Sequence, residues 1–136
     1  MEITVSRRQG RVPVTVVQPH GHIDASNYKE LVNEAERLMK GGARDFLFDL
    51  SDVAFMSSAG LVALHSIAII LRGEKPVDPE TGWATLKSID PSRVSGVQKH
   101  IKLLGLQERV ADTFENAGFL QYFESFSDVQ KAVASF

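Results

Sequence analysis

The sequence predicts a single α/β domain, and three observations support this prediction. Its 136 residues suit one domain and are enough to bury a hydrophobic core. Short segments rich in β-branched and aromatic residues alternate along the chain with longer segments of helical periodicity. No internal repeat or linker divides the chain. Alternating strands and helices require crossover connections, which place parallel strands in one sheet.

The chain begins with a predicted β-hairpin. Ile3 and Val5 alternate with polar residues, and a turn at residues 9–11 separates them from a β-branched run at residues 12–17. Pro13 has no amide donor and therefore belongs near a strand start or on an edge. We expect these two strands to pair in antiparallel fashion.

A helix and a buried strand follow the hairpin. Apolar residues recur at helical spacing in residues 28–39, and charged residues occupy the opposite face. Asp24 or Ser26 is expected to cap this helix, and the glycine pair at 41–42 is expected to end it. The nearly continuous apolar run at residues 46–50 predicts a strand that is buried on both faces.

The second helix is predicted from about Ser58 to Leu71 and is apolar nearly all round. From Val53 to Leu71 the chain has no Asp, Glu, Lys or Arg. The stretch is short of the roughly 20 residues that span a bilayer, and it contains serines and a histidine, so we predict no membrane span. The inner stripe of this helix is predicted to be Leu61, Leu64, Ile67, Ala68 and Leu71. Several of the remaining residues are expected to face outward, namely some of Val62, Ala63, Ser66, Ile69 and Ile70.

The last part of the chain is less regular. Residues 73–96 contain three prolines and three glycines, and we interpret them as an insertion. A strand is expected at residues 100–104, a helix at 107–116 and a short edge strand at 122–124. The final helix is expected at residues 128–136, with Ser127 as its cap.

The composition excludes several classes of function. The formal net charge is -2, which gives no overall basic field for nucleic acid. The chain has no cysteine, so it has no disulfide scaffold, thiolate metal site or cysteine nucleophile. The N-terminus lacks the apolar core of a signal peptide, and we expect a cytoplasmic protein. No nucleotide-binding motif is present, and no cofactor is predicted.

Two enzymatic interpretations were weighed against simpler ones. His20, His22 and Asp24 form an H-x-H-x-D string that is typical of metal ligands, but only His65 and His100 remain as further histidines. In the simpler interpretation Gly21 makes a turn and Asp24 caps a helix. A serine-hydrolase elbow requires G-x-S-x-G, and the sequence has Met56 where Ser58 would need the first glycine.

The junction between the buried strand and the second helix holds the strongest functional signal. Ser57 and Ser58 begin the helix, and one of them can simply serve as its N-cap. A helix N-terminus also stabilises an anion, so its own helix would tolerate a phosphate on Ser58. Ala59 and Gly60 are small, so another protein can approach closely. This arrangement is typical of a phosphorylation switch.

The pattern D-L-S-x-V-x-F-x-x-S-x-G-L at residues 49–61 resembles the STAS domain, the family of bacterial anti-sigma factor antagonists. G-H-I-D at 21–24 and K-L-L-G-L at 102–106 strengthen the resemblance, which covers nearly the whole chain except 73–96. It implies a non-enzymatic protein that binds an anti-sigma factor with serine kinase activity. Phosphorylation of a serine that matches Ser58 then separates the pair, and a phosphatase resets the cycle. The family often has Asp where this chain has Ser57, and often Ser where it has Ala59; Ser57 is thus a second possible acceptor.

These observations predict a STAS-like single domain spanning residues 1–136. It should contain a mixed sheet of four or five strands, with helices mainly on one face. The expected partner surface comprises His22, Asp24, Ser57, Ser58, Ala59, Gly60, Val62, Ala63 and Ser66. Two alternatives remain open: a scaffold or accessory STAS subunit that does not depend on Ser58, and a metal-dependent hydrolase.

Overall fold

A five-stranded mixed sheet forms the centre of the structure, a computed structural model that describes residues 1–73 and 98–136. The strands are β1 (Glu2–Gln9), β2 (Pro13–His20), β3 (Phe46–Asp49), β4 (Ile101–Leu104) and β5 (Ser125–Phe126), and their order in space is their order in sequence. β1 and β2 pair in antiparallel fashion, whereas β2 to β5 are parallel. The predicted hairpin and the mixed sheet are therefore confirmed. The insertion predicted at about 73–96 lies almost wholly outside the described residues.

The helices cover the two faces of the sheet unequally. α1 (Tyr28–Lys40), α2 (Ser58–Leu71) and α3 (Glu108–Asn116) share the main core with one face, and α4 (Val129–Ala134) covers the other. This confirms the prediction that helices lie mainly on one face. Among residues 1–73 and 98–136, no helix combines the length and apolar character needed to cross a bilayer.

Alternation along the short central strands explains why both faces carry a core. Phe46 and Phe48 of β3 belong to the main core, and Leu47 between them belongs to the second core under α4. Successive side chains of a strand point to opposite faces, so a continuous apolar run serves both layers. The sheet is thereby held between two layers, and the loops at the ends of its strands have a rigid base.

A buried lysine lies beneath α4 on the second face. Lys102 of β4 is 4% exposed, and its Nζ donates to the carbonyl and the hydroxyl oxygen of Ser135 over 2.9 and 3.0 Å. The ammonium also lies 4.9 Å from the ring centroid of Phe136. A buried ammonium needs such partners because its desolvation is otherwise costly. Lys102 thus attaches the end of α4 to the sheet.

Two predictions about the last part of the chain are wrong. The edge strand is Ser125–Phe126 and not residues 122–124, because Phe123 is buried against Phe114 in the main core instead of pairing with β4. The cap of α4 is Asp128 and not Ser127: its carboxylate accepts from the amides of Gln130 and Lys131.

Candidate functional site

The candidate site lies at the carboxyl end of the sheet, where β2 to β5 end. The loop after β2 and the loop after β3 are joined there by backbone hydrogen bonds. The amide of Ile23 donates to the carbonyl of Phe55 over 3.1 Å, and the amide of Ser57 donates to the carbonyl of Ile23 over 2.9 Å. In a third bond between the loops, the amide of Gly21 donates to the carbonyl of Asp52 over 3.1 Å. The two loops therefore form one structural unit that leads into α2.

The start of α2 separates the roles of its two serines. Ser57 is the N-cap: its hydroxyl oxygen accepts from the amide of Ala59 over 3.3 Å, and its carbonyl accepts from the amide of Gly60 over 2.9 Å. Ser58 is the first helical residue and is half-buried. Its hydroxyl makes no hydrogen bond within residues 1–73 and 98–136. Within the described residues the hydroxyl of Ser58 is therefore unengaged, whereas that of Ser57 is engaged.

Ala59 and Gly60 were predicted to let a partner approach, but both are buried. A Cβ atom added at Gly60 would lie 2.3 Å from Cγ and 2.6 Å from Sδ of Met56, and 3.2 Å from Cγ2 of Ile23. Gly60 is needed because the two joined loops pack directly on the first turn of α2. The small size of Ala59 and Gly60 thus allows the protein's own loops to pack on α2.

The outward-facing residues predicted on α2 are also mostly buried. Ala63 is fully buried, and Val62, Ser66 and Ile69 are at most 9% exposed, so these four do not face outward. Ile70, the fifth residue of the predicted set, is half-buried. The physical reason is that α2 packs against more than the sheet. α1 lies along it, and the ring of His65 on another side contacts Phe119, which follows α3. The sequence pattern could not reveal these neighbours.

The turn between β2 and α1 contains the other predicted site residues, His22 and Asp24. His22 is exposed, and its ring meets that of Phe55 edge-on at 6.1 Å. The carboxylate of Asp24 accepts from the hydroxyl and the amide of Ser26 over 2.5 and 2.9 Å. The bond from the hydroxyl has the larger effect, and together the two bonds hold the pKa of Asp24 below its ordinary value. Asn27 stands at the N-cap of α1 without a side-chain cap bond, so the prediction that Asp24 or Ser26 caps this helix is wrong.

The H-x-H-x-D string does not form one coordination site. His20 contacts Thr4 through Nε2 at 2.8 Å and Asp52 through Nδ1, whereas the ring of His22 meets that of Phe55 edge-on. No group of three or more His, Asp or Glu side chains suited to a metal ion occurs in the part of the chain that the structure describes. The structure therefore gives no support to the metal-dependent hydrolase.

Residues of α3 also belong to the site, although the sequence analysis did not select them. The guanidinium of Arg109 lies over the ring of Phe55 at 5.3 Å from its centroid. The hydroxyl of Thr113 donates to the carbonyl of Met56 over 3.0 Å, and the Gln107 amide donates to the carbonyl of Ser51 over 2.8 Å. These contacts join residues more than fifty positions apart, so no local pattern could have revealed them.

The sequence and the fold agree with one family. The family model described as the STAS domain matches residues 5–74, which is just over half of the chain. The chain belongs to the STAS domain family. Comparison with curated protein sequences finds no match.

Solved structures of anti-sigma factor antagonists share this STAS fold. One from Mycobacterium paratuberculosis superimposes with a TM-score of 0.63 at 17% identity, covering 98% of this chain and 93% of that one. The Bacillus cell fate determinant SpoIIAA in its phosphorylated form gives 0.58 at 11% identity, covering 96% of each chain. The anti-sigma factor antagonist SpoIIAA in its unphosphorylated form gives 0.58 at 11% identity, covering 97% of this chain and 94% of that one. At such identities the likeness concerns the fold.

Proposed function

We propose that this STAS domain is an anti-sigma factor antagonist that is switched by phosphorylation of Ser58. In its unphosphorylated state it binds an anti-sigma factor with serine kinase activity, and a phosphatase later restores this state. The domain itself uses no cofactor and catalyses no reaction. The observation that supports the proposal is the position of Ser58: first residue of α2, half-buried, with a free hydroxyl at the carboxyl end of the sheet.

The local structure favours Ser58 over Ser57 as the acceptor. The hydroxyl oxygen of Ser57 caps α2 by accepting from the amide of Ala59. Phosphorylation of Ser57 would therefore have to break this hydrogen bond. The hydroxyl of Ser58 has no such bond to break. The positive end of the helix dipole stabilises negative charge on its first turn, so phosphorylation of Ser58 should not unfold the domain.

The phosphate would act on a partner through charge and desolvation. A phosphoserine carries about -1.5 to -2 charges. Asp49, the last residue of β3, and Asp24 and Asp52 on the loops already lie at the same end of the sheet. A partner that covers Ser58 would have to desolvate this added charge. Release of the kinase therefore needs no change of fold in the STAS domain.

Phosphosite mapping tests the proposal. The domain is incubated with ATP and each purified anti-sigma factor kinase encoded in the same genome, and the products are mapped by mass spectrometry. We expect one phosphate on Ser58, no modification of Ser58→Ala, and unchanged modification of the control Ser6→Ala, which alters an exposed serine of β1. Absence of phosphate from both Ser57 and Ser58 with every kinase would reject the switch, and stable association that is indifferent to Ser58→Asp would favour the scaffold alternative.

A further inference from the structure

Within residues 1–73 and 98–136, the accessible side chains of the candidate site lie on the joined loops and α3 and not on the adjoining turn of α2. The helix residues from Ala59 to Ala63 are all buried. His22 and Arg109 are exposed, and Phe55 is half-buried. The surface offered to a partner at this end of the sheet therefore includes residues beyond the predicted partner surface.

Phe55 and Arg109 form an ordered pair on that surface. The ring of Phe55 lies between two other side chains, with His22 edge-on at 6.1 Å and the guanidinium of Arg109 over it at 5.3 Å. α3 is held against the same loop by the bond from Thr113 to the carbonyl of Met56, over 3.0 Å. The backbone segments that carry the two side chains are thus held together before any partner arrives, which lowers the entropy lost on binding.

The donors of Arg109 are unused within the part of the chain that the structure describes. Arg109 forms no ion pair and no side-chain hydrogen bond within residues 1–73 and 98–136, although Glu108 and Asp112 are close in sequence. A guanidinium is a planar fork of N–H donors, which is the geometry that binds a carboxylate with two parallel hydrogen bonds.

We propose that Phe55 and Arg109 are the anchor of the partner interface, and that Arg109 binds an Asp or Glu carboxylate on the kinase. This inference rests on the proposed function, because it names the chemistry that recognises the same site. Arginine and aromatic residues dominate the binding energy of protein interfaces when a partner covers them. The ring of Phe55 gives the guanidinium a cation–π contact, and a partner that covers both residues would strengthen the ion pair by excluding water.

Calorimetric titration of the kinase identified by phosphosite mapping into the unphosphorylated domain tests the anchor. Arg109→Ala is expected to weaken binding about tenfold or more, and Arg109→Lys to restore only part of this loss because lysine lacks the planar fork. Phe55→Leu, chosen over Phe55→Ala to protect folding, should weaken binding as well. Arg7→Ala is the matched control, since Arg7 is exposed, forms no ion pair in the described residues and lies at the opposite end of the sheet.

A double-mutant cycle distinguishes a partner carboxylate from a merely structural role. Each surface Asp and Glu of the kinase is replaced by its amide and tested with both wild type and Arg109→Ala. One of these replacements should weaken the binding of the wild-type domain but leave that of Arg109→Ala unchanged. The proposal is overturned if Arg109→Ala binds within twofold of wild type, or if it binds weakly but couples to no carboxylate. If wild type binds no kinase at all, the proposed function and this inference both fail.

Discussion

The amide of Ser57 donates to the carbonyl of Ile23 over 2.9 Å, which joins the first residue before α2 to the loop that follows β2. Ile23 belongs to G-H-I-D, and Ser57 belongs to the longer pattern at residues 49–61. The two patterns are about thirty residues apart in sequence but form a single unit at the carboxyl end of the sheet. The position of Ser58 is therefore set by two strand ends and by the packing of the first turn of α2.

Gly60→Ala should destabilise the domain. A methyl group there would lie 2.3 Å from Cγ of Met56, which is fully buried. We expect a loss of about 1–3 kcal/mol in the free energy of unfolding, although alanine is the better helix former. Denaturant unfolding monitored by circular dichroism measures it.

Gly41→Ala is the control for this change, because Gly41 has a φ of -80° and an added Cβ atom would meet nothing closer than 3.4 Å. It should be neutral or slightly stabilising. If Gly60→Ala proves as stable as Gly41→Ala, the close packing of the two loops on α2 is wrong.

Replacements of Ser57 should separate its capping role from signalling. Ser57→Ala removes the bond to the amide of Ala59 and is expected to cost about 1 kcal/mol of stability. Ser57→Asp should keep the cap and gain from the helix dipole, so its stability should equal or exceed that of wild type. Thermal unfolding at neutral pH compares the three proteins. An aspartate variant less stable than the alanine variant would contradict the assigned cap.

The turn at Asp24 should give a defined dependence on pH. Hydrogen bonds from Ser26 favour the ionised carboxylate in the folded state, so the pKa of Asp24 lies below its ordinary value of 3.8. The stability that these bonds contribute is present above the unfolded pKa and is lost as pH falls through the folded pKa. Ser26→Ala should raise the pKa of Asp24 towards the ordinary value, as followed by NMR titration of its carboxyl carbon. Ser6→Ala, an exposed change on β1, should leave that pKa unchanged, and an unshifted midpoint in Ser26→Ala would refute the assignment.

Lys102 should hold the end of α4 against the sheet. Lys102→Ala removes two hydrogen bonds to Ser135 and leaves a cavity, with an expected loss of about 1–3 kcal/mol. Lys102→Met keeps most of the volume next to Phe136 and should cost less. Hydrogen exchange should accelerate in residues 129–135 of Lys102→Ala. Unchanged exchange there would show that α4 is held by its apolar contacts alone.

Local patterns in the sequence were sufficient to predict much of this fold. The helix at Tyr28–Lys40 and the start of α2 at Ser58 follow from apolar spacing and from residues that favour helix ends, both of which act over a few positions. The nearly continuous apolar run at Phe46–Asp49 indicated a buried strand, because a strand between two layers must be apolar on both faces.

Features that depend on distant neighbours could not be predicted in this way. Val62 and Ala63 appeared available to a partner because the apolar pattern of α2 does not reveal that α1 and the segment after α3 also pack on it. Phe123 was assigned to a strand because an aromatic residue suits both an edge strand and a core. Arg109 gave no signal, since its role depends on a ring 54 positions earlier in the chain.

The affinity of the anti-sigma factor kinase for the domain in its two phosphorylation states tests the central claim most directly. The unphosphorylated domain and the same domain carrying phosphate on Ser58 alone are titrated with the purified kinase under identical salt conditions. We predict that the phosphate weakens binding at least about tenfold, that Ser58→Ala binds like the unphosphorylated protein, and that Ser6→Asp, which adds charge to an exposed position of β1, changes nothing. Equal affinity of the two phosphorylation states would contradict the switch at Ser58.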